Sequence, residues 1–219
     1  MSKAIGKIKK PTTDKFKKGR KLYFIPMIYR GQEAPAEYLK KFEKYWYQVE
    51  EQICDLELKL GKVNRIYHEL IPMSGDDGIK VIEGLNTSSY LVVKNRVDKG
   101  ARIEAAEDSE LLTQFMDWSR CLAIGLQNQT VFTTIYESYT EANKKRNEYI
   151  TRHLDETLKA DEIGILFIKE GHQIQFPSDL QVFYIAPPAL DEILRWLRDW
   201  EAIPPDKRNQ GDSKADDGG

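Results

Sequence analysis

The alternation of apolar and polar positions divides the chain into short strands and longer helices. Five apolar runs, each bounded by turn-forming or polar residues, predict strands at 22–29, 63–71, 101–106, 163–168 and 180–185. Pro26 lies inside the first run. Because proline has no N–H to donate to a sheet, this strand is predicted to be an edge strand, to carry a bulge or to end early.

The clearest helix is predicted at 34–60, where apolar residues recur at spacings of three and four. Pro35 suits the first turn of this helix and Gly61 suits its C-terminal cap. A stripe of this length is typical either of a coiled-coil seam between chains or of an amphipathic helix that covers a sheet. We favour the second interpretation because strands are predicted on both sides. The stripe consists of Leu39, Phe42, Trp46, Val49, Ile53, Leu56 and Leu60.

Further helices are predicted at 79–85, 110–126, 131–158 and 189–200, and the ambiguous segment 88–97 favours helix. Strands that alternate with helices predict an α/β fold, with a mostly parallel sheet of about five strands flanked by helices in a single domain. We expect this domain to span 21–203. Residues 1–20, with eight Lys or Arg against one Asp, are predicted to be a disordered basic tail, and 204–219 a disordered polar tail. The basic tail is either simply solvated or a contact for an anionic partner such as RNA or lipid.

Composition narrows the class of protein. The 219 residues are 31% charged with a net charge of −2, and this balance argues against a dedicated nucleic-acid binder. No apolar run approaches the roughly 20 residues of a membrane span, and residues 1–21 lack the apolar segment of a secretory signal. Cys54 and Cys121 lie in predicted helices without metal-site spacing, so we expect two reduced thiols in a cytoplasmic protein.

Candidate chemistry begins with an arginine on an apolar stripe. Arg146 lies near the middle of a stripe formed by Ile135, Tyr139, Ala142, Ile150 and His153 on the predicted helix 131–158. A guanidinium that points inward needs a carboxylate, a backbone carbonyl or a ligand, because a buried unpaired charge is very costly.

Polar residues also follow the predicted strands, at the edge where open α/β sheets bind ligands. The predicted catalytic residues are Glu104, Arg146, Glu170 and His172, and the predicted ligands of a divalent metal are Glu69, Glu104 and His172. In a metal-free version of this site, His172 is the general base and Arg146 clamps an anionic group. In the structural interpretation, Arg146 forms an ion pair with Glu104 or caps a strand carbonyl, and His172 is a solvated or hydrogen-bonded loop residue. The sequence contains no Gly-rich phosphate loop, G-x-S-x-G, H-E-x-x-H or paired C-x-x-C motif, and it leaves any cofactor unidentified.

The same residues carry a family resemblance. The apolar strand followed by Glu104, the helix with Lys145-Arg146-Asn147 and the strand that leads to Gly171-His172 resemble the TraB/ChaN/erythromycin-esterase-like superfamily over about residues 21–200. The resemblance implies a hydrolase or peptidase-like centre, with or without a metal, or a haem-binding surface as in the ChaN branch. The chain departs from the pattern at Lys145, which replaces an acidic residue, at the spacing of Gly171 to His172, and at 28–31, where the first histidine is missing.

These observations support two principal functions. The first is a hydrolase-like enzyme that acts on a small molecule or peptide in a polar Glu/Arg/His cleft. The alternative is a non-catalytic interaction or regulatory protein that uses helix 34–60 for association with itself or with a partner, because aromatic residues are favoured interface anchors. A third interpretation is a nucleotide or anion sensor that reads its ligand through Arg146. The aromatic anchors in the alternative are Tyr38, Tyr45, Trp46 and Tyr47.

Overall fold

The computed structural model describes residues 18–31 and 34–204, and it contains one five-stranded sheet. The strands are β1 (Lys21–Pro26), β2 (Arg65–His68), β3 (Arg102–Ile103), β4 (Ile163–Ile168) and β5 (Gln181–Tyr184). Their order is β3-β2-β4-β1-β5 and every pairing is parallel. The predicted α/β fold class is confirmed.

The two longest strands, β1 and β4, lie at the centre of the sheet. All six residues of each strand are buried, as expected for strands of a parallel sheet that is covered on both faces. Pro26 is the last residue of β1 and pairs in register with Ile168. The strand therefore ends early, and it is central rather than an edge. The next N–H, that of Met27, still donates to the Ile168 carbonyl at 2.9 Å, so the proline lies at the end of the ladder and not within it.

The described residues form six helices, five of which contribute to the cores on the two faces of the sheet. They are α1 (Ala36–Leu60), α2 (Gly75–Leu85), α3 (Thr87–Val97), α4 (Ser109–Ala123), α5 (Gln129–Thr157) and α6 (Pro188–Glu201). Tyr23 and Ile25 of β1 point to the core shared with α1, α2, α3 and α6, whereas Leu22 and Phe24 point to a second core with α5. The alternation along β1 thus assigns the helices to opposite faces of the sheet.

Helix α1 covers its own sheet, which is the interpretation that the sequence favoured. Phe42, Trp46, Val49 and Ile53 of the stripe are buried in the core shared with the strands and α6, and Leu56 and Leu60 are half-buried against it. Gly61 accommodates the chain reversal at the C-terminus of the helix with a φ of 120°. Three of the four aromatic residues considered as interface anchors, Tyr38, Tyr45 and Trp46, are buried in this core. Only Tyr47 among the four faces solvent, with 66% of its surface exposed.

Helices α4 and α5 pack against each other and extend past the sheet. No residue from 109 to 141, all of which the structure describes, is buried. The second half of α5 packs on the sheet through Ala142, Ile150 and Leu154. We refer to α4 together with residues 124–141 as the arm.

The predicted tails fall mostly outside the described residues. Residues 1–17 and 205–219 are not described, and residues 18–20 and 204 are. Arg20, assigned to the basic tail from the sequence, binds Asp155 and Asp179 at 2.7 Å each.

Across the described ranges, every helix is too short or too polar to cross a membrane.

Candidate functional site

A cavity of about 400 Å³ lies at the carboxyl edge of the three central strands. Tyr29 enters from the segment after β1, Glu69 and Leu70 from the segment after β2, and residues 168–172 from the end of β4. Helices α4 and α5 form its roof. Parallel strands place their carboxyl ends together, and this edge is where open α/β sheets bind ligands.

A buried ion pair lies beside the cavity, which Arg146 lines. Arg146 donates from Nε to Glu107 Oε2 at 2.8 Å and also from Nη2 to the same carboxylate. The side chains are 7% and 0% exposed. The Phe115 ring stacks on the guanidinium, with 4.8 Å from Cζ to the ring centroid. Burial acts to lower the pKa of Arg146, but the hydrogen bonds and charge of Glu107 outweigh it and raise that pKa.

Glu69 is a second buried carboxyl group beside this pair. Its Oε1 accepts a hydrogen bond from the Tyr29 hydroxyl at 2.9 Å, and its Oε2 lies 3.8 Å from Arg146 Nη2. Burial raises the pKa of Glu69, although the backbone N–H of Lys169, the Tyr29 hydroxyl and Arg146 act against that shift. Arg146 is already paired with Glu107 and lies 3.8 Å from Glu69, so its charge offsets the burial of Glu69 only in part.

The backbone next to Glu69 adopts an unusual conformation. Leu70 has a φ of 66°, a backbone conformation that residues other than glycine seldom adopt. This conformation turns the Leu70 N–H toward Glu107, which accepts it at 3.0 Å. The strained turn thereby fixes both carboxyl groups around the guanidinium, and such strain tends to occur at functional sites.

His172 lies in the wall of the same cavity. Its Nδ1 accepts a hydrogen bond from the Ile174 N–H at 3.1 Å, so the neutral ring carries its proton on Nε2. The ring packs on Phe24 with 4.8 Å between centroids. Burial lowers the pKa of His172, which favours the neutral imidazole. A neutral imidazole with a fixed tautomer is suited to hydrogen bonding or proton transfer.

The predicted catalytic residues are only partly brought together. Arg146, Glu170 and His172 line the cavity, and Glu170 accepts a hydrogen bond from the Tyr184 hydroxyl at 2.8 Å. Glu104 does not line it. Because β3 ends at Ile103 in register with Ile66, Glu104 reaches the start of β2 and forms an ion pair with Arg65 there.

The predicted metal ligands are not assembled either. Glu69 and His172 line the cavity, but Glu104 is held in its ion pair with Arg65. Among residues 18–31 and 34–204 there is no group of three or more His, Cys, Asp or Glu side chains that could hold a metal ion. The carboxylates are instead occupied by guanidinium and hydroxyl partners.

The sequence analysis assigned no site role to Glu107, the partner of Arg146, or to Tyr29 and Asn147, which line the cavity. Glu107 directly precedes the helix cap Asp108, so the sequence indicated only a helix start. Asn147 follows Arg146 on α5, and its Nδ2 is buried with no hydrogen-bond partner among the described residues. It lies between the cavity and a groove of about 1050 Å³ beside α5, so an unused donor is available at their junction.

The fold and the cavity define an α/β protein with a polar crevice at the carboxyl edge of a parallel sheet. Comparisons with protein-family models, with curated proteins and with solved structures find no match.

Proposed function

We propose that this crevice is an acid–base active site and that the protein is a hydrolase of small molecules. The single observation that carries the proposal is Glu69, a carboxyl group that is 95% buried and lies in the wall of a cavity with His172. The exposed fraction is 5%, so its proton equilibrium is set by the protein rather than by bulk water. Buried titratable groups in a cleft are common at active sites.

Burial shifts the pKa values of Glu69 and His172 toward one another. The pKa of Glu69 is raised from 4.5 and the pKa of His172 is lowered from 6.5. A carboxylate of raised pKa is a stronger base, and an imidazole of lowered pKa is neutral over a wider pH range. In the proposed reaction Glu69 accepts a proton from the attacking water and returns it to the leaving group, and His172 hydrogen-bonds the substrate through Nε2.

Arg146 has a positioning role in this proposal. Its pair with Glu107 and the stacked Phe115 ring fix the guanidinium, whose Nη2 also faces Glu69. The positive charge stabilises the ionised form of Glu69 when it acts as a base. The TraB/ChaN-like resemblance stays a prediction, and the proposal rests on the cavity geometry.

The test is a hydrolase panel of p-nitrophenyl esters, phosphates and glycosides and of short peptide amides. For the class that the protein turns over, Glu69→Gln is expected to lower kcat by about 100-fold or more, because the amide cannot accept the proton. His172→Ala is expected to lower kcat/KM on the same substrate. Glu104→Gln is the matched control, since this carboxylate lies outside the cavity, and it should retain the activity of the unmodified protein.

Two results would contradict the proposal. One is an absence of turnover for every substrate class. The other is full activity in Glu69→Gln, provided that circular dichroism shows the variant to be folded. Glutamine keeps the size of the side chain and the acceptor for Tyr29, so folding should be preserved.

A further inference from the structure

The arm carries a concentration of exposed apolar side chains. Ile124 is 74% exposed, Val131 46%, Phe132 39% and Tyr136 53%, and all four lie within 13 positions around the turn between α4 and α5. Phe132 and Tyr136 stack with 6.0 Å between ring centroids. An apolar patch of this kind on a protruding element indicates an interaction surface.

The surface also lacks charge. Residues 121–136 contain no Asp, Glu, Lys or Arg, although 31% of the whole chain is charged. A basic or acidic partner would find no complementary charge there. An interface around a two-fold axis brings side chains close to their own copies, so a patch without charges avoids like-charge repulsion. The composition therefore favours a second copy of this chain.

The geometry of the arm also favours a second copy of this chain as the partner. Two antiparallel helices bury only the sides that face each other, and the apolar positions of both helices form a broader stripe than this pairing uses. A second pair of helices completes a four-helix bundle around such positions. The half-buried apolar residues of the arm are Leu111, Leu112, Phe115, Met116, Trp118, Leu122, Leu126, Ile135 and Tyr139.

We propose that the arms of two copies pair into an intermolecular four-helix bundle, which makes the protein a homodimer. This inference goes beyond the proposed hydrolase function and does not depend on it. It has a consequence for the cavity, because Phe115, Met116, Ser119 and Tyr139 of the arm also line it. Pairing of the arms therefore restrains helices α4 and α5, which form the roof of the cavity.

The test is sedimentation velocity of the full chain from about 1 to 100 μM, a range that covers dissociation constants of ordinary dimers. The unmodified protein is expected to sediment as a dimer. The double variant Phe132→Glu, Tyr136→Glu places like charges in the bundle and should weaken the dimer by about 100-fold or more. Leu58→Glu is the matched control, since Leu58 is 86% exposed on α1, and it should dimerise like the unmodified protein.

Circular dichroism distinguishes loss of the dimer from loss of folding. Both substituted positions are exposed, so the variant should retain its helix content. A monomer at 100 μM for the unmodified protein would overturn the proposal. An unchanged dimer in the double variant would also overturn it, since the interface would then lie elsewhere. Binding of a monomeric protein to neutral phosphatidylcholine vesicles through the arm would overturn it in favour of a lipid surface.

Discussion

At the scale of single residues, the cavity is governed by the balance between one guanidinium and two carboxyl groups. Arg146 is satisfied by Glu107, and Glu69 is the additional acidic group. Two carboxylates facing one cation cannot both be fully compensated, so burial dominates at Glu69 and raises its pKa. Burial therefore weakens the acidity of Glu69, and the Arg146–Glu107 pair offsets that effect only in part.

The first prediction tests the contribution of the Arg146–Glu107 pair to the free energy of unfolding. Glu107→Ala removes the hydrogen-bonded partner of buried Arg146 and leaves only Glu69, 3.8 Å away, so we expect the free energy of unfolding to fall by about 3 kcal/mol. The double variant Glu107→Leu, Arg146→Met removes both charges and should recover most of that loss. Urea denaturation of the single and double variants measures both changes. A loss below about 1 kcal/mol for Glu107→Ala would show that Glu107 is not the essential partner.

The second prediction concerns His68, which is fully buried between the Glu69 carbonyl and the Ser89 hydroxyl. Burial lowers its pKa from 6.5 to about 4. Because the unfolded chain binds the proton more readily, stability is lost as the pH falls through 6.5 toward 4, with a slope of at most about 1.4 kcal/mol per pH unit. Urea denaturation at several pH values measures this slope.

The control for this prediction is His68→Gln, which cannot titrate. We expect this variant to be less stable than the unmodified protein at pH 7 and to show a flatter dependence on pH. The raised pKa of Glu69 acts in the opposite direction, since ionisation of that group opposes folding. It is present in both proteins, so it cancels in the comparison. Equal slopes in the two proteins would contradict the assignment to His68.

The sequence gives part of this residue-scale picture. The apolar stripe on α5 predicts that Arg146 points inward, and its burial confirms that prediction. The suggested ion pair with Glu104 is wrong, because the partner is Glu107 three positions further on. Strand periodicity fixes side-chain direction only within a strand. Residues 104–107 lie in a connection, where neighbouring elements decide which carboxylate reaches Arg146.

At the scale of elements, α5 joins the site to the arm. One half of the helix packs on the sheet and carries Arg146, whereas residues 129–141 project beyond it. Its partner α4 begins at the Asp108 cap, directly after Glu107. The boundary of one helix therefore determines the position of a buried carboxylate. Any loosening of the start of α4 should be transmitted to the ion pair.

The third prediction tests this link. Asp108 Oδ1 accepts hydrogen bonds from the N–H groups of Glu110 and Leu111, so Asp108→Ala removes the cap of α4. We expect a loss of about 1 kcal/mol in the free energy of unfolding. Asp108→Asn, which keeps the acceptor, should be close to the unmodified protein. Hydrogen exchange should show faster opening of the first turn of α4 in the alanine variant. Equal stability of both variants would rule out the capping role.

Element types follow closely from periodicity, and element lengths do not. The ambiguous segment 88–97 is helix α3, since Asn86 accepts hydrogen bonds from the N–H groups of Ser88 and Ser89 and starts a helix there. The predicted strand 101–106 shortens to Arg102–Ile103. Helix caps are local and can be read from the chain, whereas strand length depends on how much of a neighbour is available for pairing.

At the scale of the whole molecule, the order of the strands determines what the cavity contains. β4 lies between β2 and β1, so the residues after these three strands meet at one edge, while the residue after β3 is left outside. This order could not be read from the sequence, because every strand has a similar apolar pattern. The sequence therefore predicts the correct edge of the sheet for the polar residues that follow the strands. Of these residues, Glu104 does not lie there.

Close contact between α5 and the central strands holds this arrangement together, and Gly164 of β4 makes it possible. A Cβ at this position would lie 3.1 Å from Leu22, 3.2 Å from Tyr67 and 3.3 Å from Leu158, on two strands and at the end of α5. Three packed side chains cannot all move away, so Gly164→Ala should lower the free energy of unfolding by about 1–3 kcal/mol. Gly84→Ala is the matched control, because a Cβ there meets nothing within 4 Å in helix α2, and it should raise stability by up to about 1 kcal/mol. Urea denaturation measures both changes, and a Gly164→Ala protein as stable as the unmodified chain would show that α5 does not need this close approach.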